Sequence, residues 1–202
     1  MLRLPEGCRL VRNFLTTEER SALIWRVLHE DLNHFFEPIM REPGLLEPVR
    51  RIPVFSYGEW WNPVEGRYDP PRMQIPIELK AVGRRAFAMH SGAHVRIDSI
   101  VVNWYRESES SLILHQDDLE DQHVRDVGSP VLSISIGRKC RFLLGGFARD
   151  DDTTEFEISD GDAFLFGGPS RMRFHGVAGL VGVPPDAGFP GRISVTFRQV
   201  FA

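Results

Sequence analysis

The chain has 202 residues, 42% hydrophobic and 26% charged, with a formal net charge of −4. That length and apolar share suit one compact domain with a sizeable core. The acidity argues against broad nonspecific binding of nucleic acid, and no apolar run approaches the roughly 20 residues that cross a bilayer.

Charge is uneven along the chain. Residues 1–100 carry 14 Lys and Arg against 13 Asp and Glu, whereas residues 101–202 carry 10 against 15. Lys80 and Lys139 are the only lysines. Cys8 and Cys140 stand in no metal or redox spacing, and Met1–Leu10 lacks the apolar core of a signal peptide. A reduced, cytoplasmic setting is the expectation.

In chain order, the first element is a helix opening at Thr16. Thr16 and Glu19 form a capping box, and Leu23, Ile24, Val27 and Leu28 make one apolar stripe behind it. Pro38, Pro43 and Pro48 break up the stretch after this helix. Arg50 to Arg72 then sets Tyr57, Trp60, Trp61 and Tyr68 among Gly and Pro, a long turn-rich arm. The arm reads either as a packed lid or as a stacking surface for a planar ligand, flanked by Arg50 and Arg51 for phosphate. A second helix is expected over Ile75–Ser91, with Pro76 in its first turn and Leu79, Val82, Ala86 and Met89 on one face.

From Ser99 the pattern changes to eight short runs between turn residues: SIVVNWY, SSLILHQD, VLSISIG, CRFLLGG, TEFEIS, DAFLFGG, RMRFHGV and RISVTFRQVF. None is followed by a helix-length gap for a parallel crossover. Eight such strands in series predict a double-sheet jelly roll. The fold class is therefore α+β: a double-stranded β-helix over residues 97–202. Residues 1–96 supply N-terminal helices packed on one sheet and the recognition arm at about 50–72, within the same domain.

His115-Gln116-Asp117 closes the second run. Residues two apart on a strand share a face, so His115 and Asp117 project together. His175, in the seventh run, can join them where a rolled sheet makes those strands neighbours. Two histidines and one carboxylate with open positions left over are the facial triad of non-haem Fe(II) oxygenases. Asn103 and Tyr105 share a face of the first run, and Arg192, Ser194, Thr196 and Arg198 share a face of the last. Two guanidiniums among hydroxyl and amide groups suit a dicarboxylate through charge-assisted bonds.

The succession N-x-Y, H-x-D, SPVLSISIG, GDAFLFGGPSRMRFHGV and RISVTFRQVF resembles the AlkB family of Fe(II)/2-oxoglutarate dioxygenases over roughly Ile97–Phe201. PVFSYG resembles that family's nucleotide-recognition segment. The resemblance implies His115, Asp117 and His175 as iron ligands. It implies Asn103, Tyr105, Leu112, Arg192, Ser194 and Arg198 as 2-oxoglutarate contacts, and Asp118 as a residue facing the target base. Leu119 replaces an acid found in other members, Ser108 stands where a glycine is common, and the Leu119–Ser129 loop is long.

The activity implied by the resemblance is oxidative demethylation of alkylated nucleobases in DNA or RNA, consuming 2-oxoglutarate and O2 and releasing formaldehyde, succinate and CO2. The target base must be flipped or single-stranded, and Tyr57, Trp60 and Trp61 would stack on it. The protein is expected to be a monomer without membrane contact. A second reading keeps the hydroxylase chemistry for a tRNA side group, a protein or a small molecule. A third, a jelly-roll binding module without turnover, is disfavoured by the intact triad and both arginines.

Overall fold

A computed structural model describes residues 2–36, 52–62, 64–91, 94–106, 110–183, 189 and 191–202. Its helices are α1 (Thr17–His29), α2 (Ile77–Ser91) and the short α3 (Gln122–Asp126). The strands before the jelly roll are β1 (Cys8–Val11), β2 (Val54–Asn62) and β3 (Arg67–Met73). The jelly-roll strands are β4 (Ser99–Tyr105), β5 (Leu112–His115), β6 (Val131–Gly137), β7 (Lys139–Leu144), β8 (Thr154–Ile158), β9 (Ala163–Phe166), β10 (His175–Val181) and β11 (Arg192–Arg198). Each of the eight expected runs overlaps one of them, although β10 shares only His175–Val177 with RMRFHGV and continues to Val181.

The strands form two antiparallel sheets. The larger has the order β1-β9-β6-β11-β4-β2-β3, and the smaller β5-β10-β7-β8. Each strand of the large sheet sorts its side chains by parity. Ile100 and Val102 of β4, Leu132, Ile134 and Ile136 of β6, and Ile193, Val195 and Phe197 of β11 face outward. There they pack with Leu23 and Val27 of α1 and with Leu79, Val82, Ala86 and Phe87 of α2. The opposite faces of the same strands carry Asn103, Tyr105, Ser133, Ser135, Arg192, Ser194, Thr196 and Arg198. A second core, including Cys140, Phe142, Leu144, Phe156, Phe164, Phe166 and Val177, fills the space between the sheets.

The capping box is present: the Glu19 amide donates to the Thr16 hydroxyl at 3.2 Å, and the Thr16 amide to the Glu19 carboxylate at 3.0 Å. On α2 the buried stripe holds Phe87 rather than Met89, which is 42% exposed. The cause is Gly83, which lets α2 sit directly on Ile97 and Phe197, so the stripe follows i, i+3, i+4 spacing through 79, 82, 83, 86 and 87.

Arg50–Arg72, expected as a turn-rich arm, contains a β-hairpin. Its proline-bearing strand β3 lies at the sheet edge, where Pro70 and Pro71 break no inner ladder. Gly58 sits at φ +68°, and the β2–β3 register shifts between Gly58 and Trp60. A Cβ at Gly58 would drive into the carbonyl oxygen of Asp98. Gly58→Ala should therefore destabilise the fold by on the order of 1–3 kcal/mol, read as a lower urea midpoint at unchanged slope.

Candidate metal centre

β5 and β10 are paired so that His115 and His175 are direct register partners. The jelly roll thus brings together two residues 60 positions apart, with imidazole centroids 4.4 Å from each other. Asp117 follows two residues after β5 ends. Its carboxylate lies 3.9 Å from His115 Nε2 and 3.7 Å from His175 Nε2. Two bonds of about 2.1 Å can span such separations, and one donor atom from each residue falls within 4.8 Å of the others.

The tautomers suit a metal. His115 Nδ1 donates to the Ile113 carbonyl at 3.0 Å, and His175 Nδ1 to the Arg173 carbonyl at 3.1 Å. A carbonyl only accepts, so each Nδ1 carries the proton and each Nε2 offers its lone pair. Burial lowers the His175 pKa, against a weaker upward pull from Asp117, which keeps this imidazole neutral and able to ligate. Burial alone would raise the Asp117 carboxyl. Arg198, His175, His115 and Arg171 outweigh it and hold the group well below the usual carboxylate range.

The triad opens into a cavity of about 340 Å³ between the sheets. Leu112, Val131, Phe142, Phe166 and Val177 form its apolar wall, and Asn103, Tyr105, Ser133, Arg192, Ser194 and Thr196 its polar one. Arg192 and Tyr105 are register partners, as are Ser194 and Asn103. Arg192 is 1% exposed; its Nε donates to Ser135 at 2.8 Å, and its Nη1 has no hydrogen-bond partner among the described residues. A buried guanidinium nitrogen without an acceptor, on the wall of a cavity beside a two-histidine, one-carboxylate site, fits the distal carboxylate of 2-oxoglutarate. The donor set itself fits Fe(II).

Arg198 also faces the interior, but its partner is the protein. Nη2 and Nε donate to the two oxygens of Asp117 at 2.7 and 3.2 Å. Of the two arginines, then, Arg192 keeps a nitrogen open on the cavity wall, and Arg198 is paired with the Asp117 carboxylate.

The residues expected against substrate divide. Trp61 and Asp118 line the cavity, Asp118 at its exposed rim, where the end of β5 frees it from strand alternation. Tyr57 does not reach it. Its ring is 2% exposed in the helix-side core, and its hydroxyl donates to Asp31. Trp60 is 9% exposed, against Phe36 and beneath the Arg72 guanidinium, and lines no part of the cavity. Tyr57 shares the helix-side face with Phe55, and the register shift after Gly58 turns Trp60 away from the cavity and Trp61 toward it. Arg50, Arg51 and Ser108 lie outside the described residues. The Leu119–Ser129 loop contains α3.

Three cavity-side features were not assigned to the site from the sequence. Tyr68 of β3 lines the cavity and donates its hydroxyl to Glu120 at 3.2 Å. Glu120 and Arg171 form a buried ion pair at 2.9 Å. Ser133 and Ser135 face inward, and their alternation in SPVLSISIG was the available signal.

Comparison with known proteins agrees with this geometry. Residues 7–198 match the 2OG-Fe(II) oxygenase superfamily. The chain belongs to this family. It is 29% identical over 224 residues to the DNA N(6)-methyladenine demethylase ALKBH1C of Arabidopsis thaliana, covering 96% of this chain and 48% of that protein. It is 28% identical to the nucleic acid dioxygenase ALKBH1 of Homo sapiens, covering 92% and 46%. The oxygenase thus spans about half the length of these curated relatives. The solved structure of OsALKBH1 superposes with a TM-score of 0.86 at 26% identity, covering 98% of this chain and 99% of that one.

Two substitutions separate the roles in this AlkB-like oxygenase. Asp117→Ala should abolish Co(II) binding in a titration followed by visible absorption. Arg192→Lys should leave Co(II) binding near wild type and weaken 2-oxoglutarate about tenfold or more, because a lysine loses the planar fork.

Proposed function

We propose that the protein oxidatively demethylates alkylated bases in DNA or RNA. The observation that carries this reading is the His115–Asp117–His175 triad at the base of a cavity whose mouth bears Trp61 and Asp118. Resemblance to AlkB proteins and to the ALKBH1 relatives supports the substrate class.

Fe(II) and 2-oxoglutarate, once bound, would activate O2, one oxygen atom going to an N-methyl C–H to give N–CH2OH, which releases formaldehyde, and the other to 2-oxoglutarate, which leaves as succinate and CO2. The chain's own part is placement. His115 and His175 present Nε2, and Asp117 presents its carboxylate. Arg192, with Ser133 and Ser194 beside it, takes the distal carboxylate of the co-substrate. The apolar wall from Leu112 to Val177 keeps water from the reacting centre. A base enters flipped out or from a single strand, against Trp61.

Two observations favour a second reading, hydroxylation of a tRNA side group, a protein or a small molecule. Tyr57 and Trp60 are buried, which leaves less aromatic surface for stacking, and the C-terminal half is acidic. Turnover distinguishes them. The protein is incubated with Fe(II), 2-oxoglutarate and methylated single- and double-stranded oligonucleotides, and products are weighed by mass spectrometry. Loss of 14 Da per methyl group from the single strands, faster than from duplex, is the expected outcome. Trp61→Ala should weaken single-strand binding by about 1–3 kcal/mol. Decarboxylation of 2-oxoglutarate with another substrate, and none with any oligonucleotide, would transfer the assignment to the second reading.

A further inference from the structure

Two buried charges stand one layer behind the triad. Glu120 and Arg171 are each 2% exposed. Arg171 Nη2 donates to Glu120 at 2.9 Å, and Arg171 Nη1 donates to the backbone carbonyl of Asp117 at 2.7 Å. The other oxygen of Glu120 lies 3.4 Å from Arg198 Nε, the same nitrogen that reaches Asp117. Two carboxylates and two guanidiniums therefore share one desolvated cluster, and their formal charges cancel. Asp117 is held at both ends, its carboxylate by Arg198 and its backbone by Arg171. Arg198 divides itself between two anions.

We propose that Glu120 is a positioning residue that sets the metal affinity of the triad, by sharing Arg198 with Asp117 and by keeping this buried cluster neutral, with Arg171 as its balancing charge. Metal binding at Asp117 competes with Arg198 for the carboxylate oxygens. With Glu120 charged, part of the guanidinium's field is directed elsewhere and Asp117 keeps its attraction for a cation. Without that charge the cluster carries a net +1, and Arg198 belongs to Asp117 alone. Both effects weaken metal binding, and in a site screened from water neither is small. Tyr68, whose hydroxyl donates to Glu120, adds a hydrogen bond but no charge.

A scaffold role predicts something different. If the cluster only ties the Asp117–Asp121 segment in place, removing Arg171 as well as Glu120 makes matters worse. If charge balance governs, the double replacement restores neutrality. The full chain, stripped of metal, is titrated with Co(II) and followed by its d–d absorption, with circular dichroism to report folding. Glu120→Gln is expected to weaken Co(II) binding about tenfold or more, and Glu120→Gln with Arg171→Gln to return it to within about threefold of wild type. Unchanged affinity in the single variant, or a double variant no better than the single, overturns the proposal. Should Glu120→Gln not fold, Arg171→Gln alone decides. It leaves a net −1 and is expected to tighten Co(II) about threefold or more, and equal or weaker binding overturns the proposal. The inference rests on the metal-site reading of the triad. A wild type that binds no Co(II) removes that reading, whereas equal affinities across the variants remove only the role of Glu120.

Discussion

The pair between the Asp117 carboxylate and the Arg198 guanidinium, both less than 10% exposed, is the interaction on which the site depends. A carboxylate leaves water at a cost of several kcal/mol unless a partner and hydrogen bonds replace the solvent. Asp117 follows β5 of the small sheet, and Arg198 ends β11 of the large one. Their contact therefore joins the two sheets at the base of the cavity, and it does so through the carboxylate that belongs to the triad. Removing either partner of such a pair costs about 3–5 kcal/mol, because the survivor stays buried with its charge exposed to nothing. Burial works against the charge on Arg198, yet Asp117, Tyr68 and Glu120 more than compensate and raise its pKa.

The large sheet solves a second problem with the same strands. It is buried on both faces, and the period of two lets its central strands β4, β6 and β11 be apolar toward the helices and largely polar toward the cavity. β11 carries this furthest: Ile193, Val195 and Phe197 lie in the helix-side core, while Arg192, Ser194, Thr196 and Arg198 line the cavity. This is why the jelly roll and the cavity-facing residues could be read from the sequence. Local alternation determines both, and the eight runs after Ser99 contain little else. His115 and His175 were legible for the same reason, although their register pairing was not, since pairing partners are non-local.

What could not be read depends on contacts between distant residues. Arg171 lies in a turn between β9 and β10, where arginine ordinarily points to water, and its two acceptors come from the Asp117–Glu120 segment. Glu120 looks like a solvated acid in the run DDLED, and the chain gives no sign that Arg171, Arg198 and Tyr68 converge on it. Tyr57 failed in the opposite sense. It belongs to an aromatic segment suggestive of a stacking surface, but it continues the helix-side alternation of Phe55, and only beyond it does a glycine at positive φ decide which of Trp60 and Trp61 faces the cavity. No periodicity reports that decision, because Gly58 departs from it.

The same glycine bears on selectivity. Since Tyr57 and Trp60 pack elsewhere, the hairpin offers Trp61 and Tyr68 to the cavity, and these are not equivalent. Tyr68 is tied through its hydroxyl to Glu120, and burial pushes its pKa up so that it remains a phenol. Its ring is thereby a fixed wall next to the metal ligands. Trp61 is only half-buried, and with the exposed Asp118 and Leu119 it forms the part of the boundary that an entering group meets first. An indole face beside a carboxylate favours a flat ring carrying a hydrogen-bond donor on its edge. Leu119 adds apolar surface at the same rim. The triad is thus held by buried charge, while the outer boundary of the cavity is formed by a few rim residues on a hairpin and a loop, separate from the metal-binding carboxylate and its partners.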